Sequence, residues 1–478
     1  MDHEYRTAND DQTVNQLQEY LTQSRALARR HITFFLYAFL AVVVHGVSML
    51  VPPMQSPDEI DHLQRAYLLA HGQIFLQTPA GASSGGQVDT GLVGYLVNYA
   101  TLAGKPDARL TADLKRHGEA AQWTGVHGFS SLPGTGYNLP AIYAPQALAL
   151  AIGEQLNLSI DASYRMARLF VLITTLSLLI AAFKLYRPSP LALIVLVLPM
   201  SLFQMTASTI DGMSMALAFF AVSCFKRDWE QENTDRRVFM MLTVSVAVLV
   251  TCRAYMAPML LMLIAPAILH RSRQRLIIAV AATGAVVAWT VLGMAVTTDL
   301  RSGHKVTPGA IAKYYLTDPA ALWNVMYATL SDAGLTAQYW RSFIGTLGWL
   351  DTTMPMSVYI GISTLIALAL LINVRLSAFK PRSAWVLLLC GFASMVLVFL
   401  AMLVIWTPHP AQVIDGIQGR YFALPVIVIL CALDSKSGGS RWLATYGIVF
   451  MVFLVSTFSM ITTLADRYYL SNTGTVAQ

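Results

Sequence analysis

The sequence predicts an all-α, polytopic integral membrane protein, on three observations. Of 478 residues, 55% are hydrophobic and only 12% charged, with a mean hydropathy of +0.54; no soluble globular domain needs that much apolar surface. The apolar residues come in long runs, the first from Phe34 to Val51. The basic residues sit in short clusters between the runs, the pattern of cytoplasmic loops. That pattern explains the net charge of +6 without a nucleic-acid partner.

Residues 1–31 are polar, with one amphipathic helix expected over Thr13 to Leu27, and end in Arg25, Arg29 and Arg30. A polar lead of this length is unlike the short basic start of a cleaved signal peptide, so the first run reads as a retained anchor with a cytoplasmic N-terminus. The next segment, to about Leu139, is the longest polar one, and its Gly81-Ala82-Ser83-Ser84-Gly85-Gly86 stretch is expected to be a flexible lid or a disordered tip. Further apolar runs lie at 166–186, 191–206, 212–225, 238–252, 255–269, 276–296, 356–373, 384–406, 421–433 and 442–463. Several are shorter than a full span, which implies tilt, thinning or an embedded cavity.

Charge decides the expected topology. Lys184/Arg187, Lys226/Arg227/Arg236/Arg237, Arg271/Arg273/Arg275, Arg375/Lys380/Arg382 and Lys436/Arg441 all become cytoplasmic if 238–252 and 255–269 form a hairpin with Arg253 at its far tip. Parity then requires Pro140 to Leu156, interrupted by Pro145, to lie along the outer leaflet without crossing. The alternative makes 140–156 a span and 238–269 one long helix, stranding two basic clusters outside. The first topology gives about eleven spans, a transmembrane domain over 32–465 with outer loops 52–165 and 297–355, and an outer tail at 466–478. The aromatic-rich loop 297–355 is expected to hold an interfacial amphipathic helix pair.

The densest chemistry lies in Ser56-Pro57-Asp58-Glu59-Ile60-Asp61-His62, just beyond the first run. Ser56 as N-cap, Pro57 at N1 and Glu59 at N3 also make a capping box, so these acids have a structural reading beside the functional one. In the expected topology Asp58, Glu59, Asp61, His62, Arg165, Arg168, Asp211, Arg253, the loop 297–355 and the loop 407–420 with Arg420 at its end share one rim, and ionisable groups at a hydrocarbon boundary are costly enough to be functional candidates. Arginine suits a phosphate because its guanidinium presents paired donors and stays charged. Arg420 is the leading phosphate ligand, with Gln418 and Tyr421 beside it, and Arg253 is the second. His62 lies one turn beyond Asp58 on one helix face, so Asp58, Glu59 and His62 are also the candidate ligands for a divalent metal, although no metal motif is present. The four cysteines, Cys224, Cys252, Cys390 and Cys431, show neither disulfide nor zinc spacing.

Three stretches together resemble a known family. Pro52-Pro53 through Pro57-Asp58-Glu59 to His62, then Phe343-Ile344-Gly345-Thr346-Leu347-Gly348-Trp349-Leu350-Asp351-Thr352, then Gly416-Ile417-Gln418-Gly419-Arg420-Tyr421-Phe422 look like the bacterial membrane proteins grouped as domain of unknown function 2142. Tyr143-Ala144-Pro145-Gln146, with Arg168 downstream, fits the same pattern. That family in turn resembles the polytopic glycosyltransferases of the C-type fold (GT-C), which take a sugar from a polyprenyl-phosphate carrier. The resemblance implies an acidic pair after the first span, matched by Asp58-Glu59, a second acid at Asp211 and a basic residue at a hairpin tip, Arg253. This chain departs from that class in lacking a large C-terminal periplasmic domain and an obvious D-x-D.

The expected function is therefore transfer of a sugar from a polyprenyl-phosphate donor, such as an undecaprenyl-phosphate sugar, to a cell-envelope or lipid-linked glycan at the periplasmic face of the bacterial inner membrane. Asp58, or else Glu59, would be the general base of an inverting transfer, with donor and acceptor also touched by His62, Asp211, Arg168 and Asp351. The sequence assigns no definite cofactor and leaves a divalent metal, Mg or Mn, open. The rivals are a transporter or flippase of lipid-linked sugars, which would show broken helices and midplane charges, and a non-catalytic envelope assembly factor.

Overall fold

The computed structural model describes residues 39–187, 189–230, 235–301, 306–374, 381–433 and 440–470. The expected N-terminal amphipathic helix and the tail beyond residue 470 lie outside the described residues. The chain divides into two units, residues 1–46 and 47–478. Of the first, the described residues begin a short apolar helix, α1 (Phe39–Leu50). The second unit holds the other helices and every candidate site residue.

The segment after α1 builds a small subdomain outside the long apolar helices. Helix α2 (Glu59–Ala70) buries Leu63, Ala66 and Tyr67, spaced as one helical stripe. Strand β1 (Gly85–Asp89) leads into α3 (Thr90–Ala100), whose first amides donate to the Asp89 carboxylate. After α4 (Ala112–Glu119), β2 (His127–Ser131) returns antiparallel to β1, pairing Gly85 with Ser131 and Asp89 with His127. Helix α5 (Ala144–Gln155) stays within this subdomain: Tyr143 at its start meets His62, and Glu154 near its end pairs with His71 at 3.2 Å. Both its ends lie against α2, and 12 residues span only about 18 Å, so it does not cross a bilayer alone.

The expected lid is a correction. Ser84 is buried, its amide donates to the Thr298 carbonyl at 2.8 Å, and its hydroxyl accepts from the Thr298 amide. Gly85 cannot carry a side chain, because a Cβ there would lie 1.9 Å from the Ser130 carbonyl oxygen. Ser83 and Ser84 pin the stretch to the backbone at 298–300 and Gly85 permits the close approach of β2, while Gly81 is exposed and takes a turn at φ +73°.

Among the described residues five helices are long and apolar enough to cross a membrane: α6 (Ile160–Leu185), α12 (Arg273–Val296), α16 (Met356–Asn373), α17 (Arg382–Ile405) and α19 (Ser440–Tyr468), the last over Leu443–Tyr468. The remaining expected runs form helices that are shorter or less apolar. Residues 191–206 are broken into α7 (Pro190–Leu196) and α8 (Pro199–Met205), each opening on a proline that lacks an amide to donate. Helices α9 (Asp211–Glu230) and α10 (Arg236–Cys252) come next, then a 3₁₀ segment Ala254–Leu260 and α11 (Leu261–Leu269). Helix α18 (Ala423–Ala432) is preceded by a 3₁₀ turn at Gly419–Phe422.

Side-chain pairs fix how these pieces run. Helices α6 and α9 pack together in the same direction, since the Tyr186 hydroxyl beyond the end of α6 donates to Glu230 at the end of α9. Helix α10 runs back, bringing Arg253 at its end to Asp211 at the start of α9. Arg236 at the start of α10 and His270 after α11 line one cavity, so 236–269 is a hairpin rather than one long helix. Loop 297–355 carries three helices where a pair was expected: α13 (Pro308–Thr317), α14 (Pro319–Ser331) and α15 (Ala333–Gly345). A minimal hairpin comes after them, β3 (Thr346–Leu347) with β4 (Thr352–Thr353).

Candidate functional site

Asp58 sits at the start of α2 in the left-handed region, φ +64°, and its side chain caps no amide. A non-glycine residue there costs roughly 1–2 kcal/mol and persists only when neighbours enforce it. Met54, at φ +62°, is strained in the same way. The Trp349 indole donates to the Met54 carbonyl at 2.8 Å, and the Gln55 amide donates to the Pro53 and Tyr99 carbonyls at 3.0 Å. The expected capping box is thus only half formed: the Ser56 amide donates to Glu59 at 3.3 Å, but the Ser56 hydroxyl turns to Gln204, and the helix begins at Glu59. Freed from capping, the Asp58 carboxylate is 57% exposed and accepts from Arg420 Nη2 at 2.6 Å.

Arg420 is held from three sides. Its Nη1 donates to Asp211 at 3.2 Å, its Nε to Gln418 at 2.6 Å, and its guanidinium lies 5.3 Å from the Tyr421 ring. The turn that aims it is wedged against α15. A Cβ on Gly419 would lie 2.1 Å from both the Phe343 amide nitrogen and the Tyr339 carbonyl oxygen, while the Gly419 amide donates to the Ser342 hydroxyl at 2.8 Å. Asp211 uses its other oxygen for Arg253, whose Nε is buried with no partner among the described residues. The result is a chain of alternating charges, Asp58–Arg420–Asp211–Arg253, drawn from four separate parts of the sequence.

His62, one turn into α2, shares a 2.8 Å hydrogen bond with the Tyr143 hydroxyl, which also accepts from the Asn138 amide at 2.7 Å. Burial, partly opposed by Asp58, pulls the imidazole down to about 4, so it is neutral near pH 7. For Asp58, burial raises the carboxyl, but the charge and hydrogen bond of Arg420 outweigh it and hold the group below its ordinary value.

Glu59 and Arg168 stand apart from this chain. Glu59 has no exposed surface; it accepts from the Tyr164 hydroxyl and the Ser208 amide at 2.8 Å and from Arg168 at 3.4 Å. Arg168 spends its other nitrogens on the carbonyls of Ser48, Val51 and Pro52. Together they tie α2, α6 and the chain after α8 into one corner. Asp351 is likewise a brace: on the β3–β4 turn it pairs with Arg467 of α19 at 3.2 Å, and Arg467 holds the carbonyls of Leu102 and Lys105. The expected metal set does not converge, since Asp58 faces Arg420, Glu59 faces Arg168 and His62 faces Tyr143. Among the described residues no three His, Cys, Asp or Glu side chains form a group suited to a metal ion.

A second acid of α2, on the expected rim but given no role from sequence, extends the site. Asp61 pairs with Arg301 at 3.5 Å, and Arg301 also grips Asp299 at 2.8 Å. Burial pushes the Asp61 carboxyl up to about 6, with Asp58 and Asp299 adding to the rise and Arg301 opposing it. The available signal was Asp299-Leu300-Arg301, charges directly after an apolar run, but nothing in their spacing links them to residue 61.

Set beside known families, the model described as "Predicted membrane protein (DUF2142)" matches residues 39–430. None of the curated proteins matches the chain.

Proposed function

This chain belongs to the DUF2142 family of predicted membrane proteins, and from that premise we propose a membrane glycosyltransferase that moves a sugar from a polyprenyl-phosphate donor to a cell-envelope or lipid-linked glycan. The observation that supports it most is the Asp58–Arg420–Asp211–Arg253 chain, with a half-open carboxylate at one end and two guanidinium groups within. About eleven spans, a cytoplasmic N-terminus and a periplasmic site in the bacterial inner membrane complete the reading. The basic residues Arg236, Arg271, Arg273 and Arg275 lie at the opposite end of the α10 hairpin from Arg253, as a positive cytoplasmic side requires.

In the reaction the acceptor hydroxyl oxygen bonds to the anomeric carbon as the bond from that carbon to the phosphate oxygen breaks. The hydroxyl proton passes to Asp58, and the departing polyprenyl phosphate carries the electron pair, stabilised by Arg420 and Arg253. Attack opposite the leaving phosphate gives inversion. Arg420 couples the two events. While it is bound to Asp58 it keeps that carboxylate weakly basic, and a phosphate that draws Arg420 away restores the basicity when the donor is in place. Asp211 holds both arginines, Gln418 orients Arg420, and Glu59 with Arg168 keeps the start of α2 fixed.

One observation favours a second reading. The break between α7 and α8, and the 3₁₀ segment after Arg253, are discontinuities of the kind transporters use at substrate sites. Purified protein in vesicles, given a labelled polyprenyl-phosphate sugar and envelope glycan acceptors, separates the two. Acceptor-dependent release of polyprenyl phosphate supports transfer; donor that reaches the other leaflet intact, with no product, rejects transfer in favour of transport.

A further inference from the structure

At the end of α10 remote from Arg253, about 25 Å away by helix length, lies a polar cavity of about 320 Å³ lined in part by Arg236, His270, Ser272, Gln274 and Arg275. Its floor is braced. Arg275 Nη1 donates to both oxygens of Asp228 at 3.1 Å, and His270 Nε2 donates to the Asp228 carbonyl at the same distance. Asp228 is thereby committed to the floor, and Asp235 is committed to the Arg237 amide that it caps at 2.9 Å. Arg236 is exposed and has no ion-pair partner among the described residues. The first turns of α10 and α12 both reach the cavity; the α12 N-terminus, capped by the neutral Ser272 hydroxyl, adds positive potential, whereas that of α10 already holds the Asp235 carboxylate.

The flanks are of opposite character. One and two turns along α10 from Arg236 come Met240 and Val244, and along α12 from Gln274 come Ile277 and Val280; all four are exposed apolar side chains. A cationic recess that opens beside apolar helix faces suits a molecule with a phosphate at one end and hydrocarbon at the other. Soluble phosphate would use only the first half of that surface.

We infer that this cavity binds the phosphate of an anionic membrane lipid, with the acyl chains along the exposed faces of α10 and α12. The site is separate from the Asp58–Arg420 chain and does not depend on the proposed transfer. Arg236 supplies the charge that selects the lipid, and the Asp228–Arg275 pair holds the recess open.

The test is native mass spectrometry of the purified full-length chain titrated with phosphatidylglycerol or phosphatidylcholine, together with Arg236→Gln. A basic residue elsewhere, Arg382→Gln at the exposed start of α17, is the control for general attraction to anionic surfaces. The expected result is retention of phosphatidylglycerol over phosphatidylcholine, weakened about tenfold by Arg236→Gln, the cost of one charge-assisted contact, and unchanged by Arg382→Gln. Equal affinity for the two lipids, or equal loss in the two variants, overturns the inference. Inorganic phosphate forms a separate arm: if it binds in the Arg236-dependent way while phosphatidylglycerol does not, the lipid assignment fails. Both variants alter exposed side chains, so melting temperatures matching wild type confirm that a loss of binding is not a loss of fold.

Discussion

Arg420 Nη2 lies 2.6 Å from Asp58 Oδ2, across 362 positions of sequence. A nearly buried guanidinium thus ends on a carboxylate that is half open to solvent, and this pairing joins the segment after the first apolar run to the turn before α18. The substitution Asp58→Asn leaves shape intact and removes both the negative partner and the base. Transfer is expected to fall by about 10²–10⁴, the range for a lost general base, while size-exclusion behaviour in detergent stays that of wild type. Undiminished transfer with confirmed substitution removes Asp58 from the chemistry.

The buried partner pair predicts the opposite separation. Glu59→Gln leaves Arg168 charged in a buried corner, and loss of one member of a buried pair costs about 3–5 kcal/mol. Yield and thermal stability in detergent should drop sharply, and the combined change Glu59→Gln with Arg168→Met should recover part of the loss. Activity per folded molecule is the discriminating measurement. If it falls for Glu59→Gln as far as for Asp58→Asn, Glu59 has a chemical role that its burial argues against.

These two neighbours show where sequence stops being legible. The all-α membrane class, the long apolar helices and the hairpin around Arg253 follow from apolar run length and charge placement, which are local properties. That Asp58 turns toward Arg420 while Glu59 turns toward Arg168 depends on one left-handed residue, and no run length encodes it. Gly81–Gly86 reads as a flexible lid or tip by composition, yet Ser84 and Gly85 are small because the Thr298 backbone and strand β2 approach closely. Asp351 belongs to a distinctive motif and proves to be a brace for Arg467, because that motif builds the β3–β4 turn under α19 rather than the charge chain.

Gly419→Ala tests how Arg420 is aimed. The added carbon would collide with backbone atoms of α15 at 2.1 Å, and backbone cannot swing aside as a side-chain tip can. Overpacking of this kind costs about 1–3 kcal/mol, and the 3₁₀ turn must lift to relieve it. Donor affinity is therefore expected to fall along with stability. Gly447, in α19, has no atom near its would-be Cβ, so Gly447→Ala should be neutral in the same assays.

Asp61 predicts a pH dependence whose sign is fixed by its raised carboxyl. In the unfolded chain the group titrates near 3.8, and in the folded protein near 6. The protonated form is favoured by folding, so the contribution to stability is complete below about 3.8 and is lost as pH rises through about 6. Asp61→Asn removes this term. Relative to wild type the variant should gain about 1–3 kcal/mol of stability between pH 4 and pH 7, less whatever the Arg301 pairing returns at the higher pH. Melting temperatures in detergent across that range check it, and parallel curves for the two proteins would show that Asp61 titrates as it does in water.

Arg420→Lys separates charge from geometry. A lysine ammonium keeps the positive charge but presents a single point, whereas the guanidinium serves Asp58, Gln418 and Asp211 through three different nitrogens. With lysine, Asp58 and Asp211 cannot both be held, so Asp211 is left to Arg253 alone and the link between the α2 corner and the α9–α10 end is broken. Folding should survive better than in Arg420→Ala, because a cation remains between Asp58 and Asp211 and most of the side-chain volume is kept. Donor binding, which on the proposed mechanism needs the guanidinium fork for a phosphate, should weaken by about tenfold or more. The measurement is donor affinity by titration against a labelled polyprenyl-phosphate sugar, in parallel with thermal stability. Wild-type affinity in the lysine variant would mean that the phosphate is bound elsewhere and that Arg420 serves only to join Asp58 to Asp211.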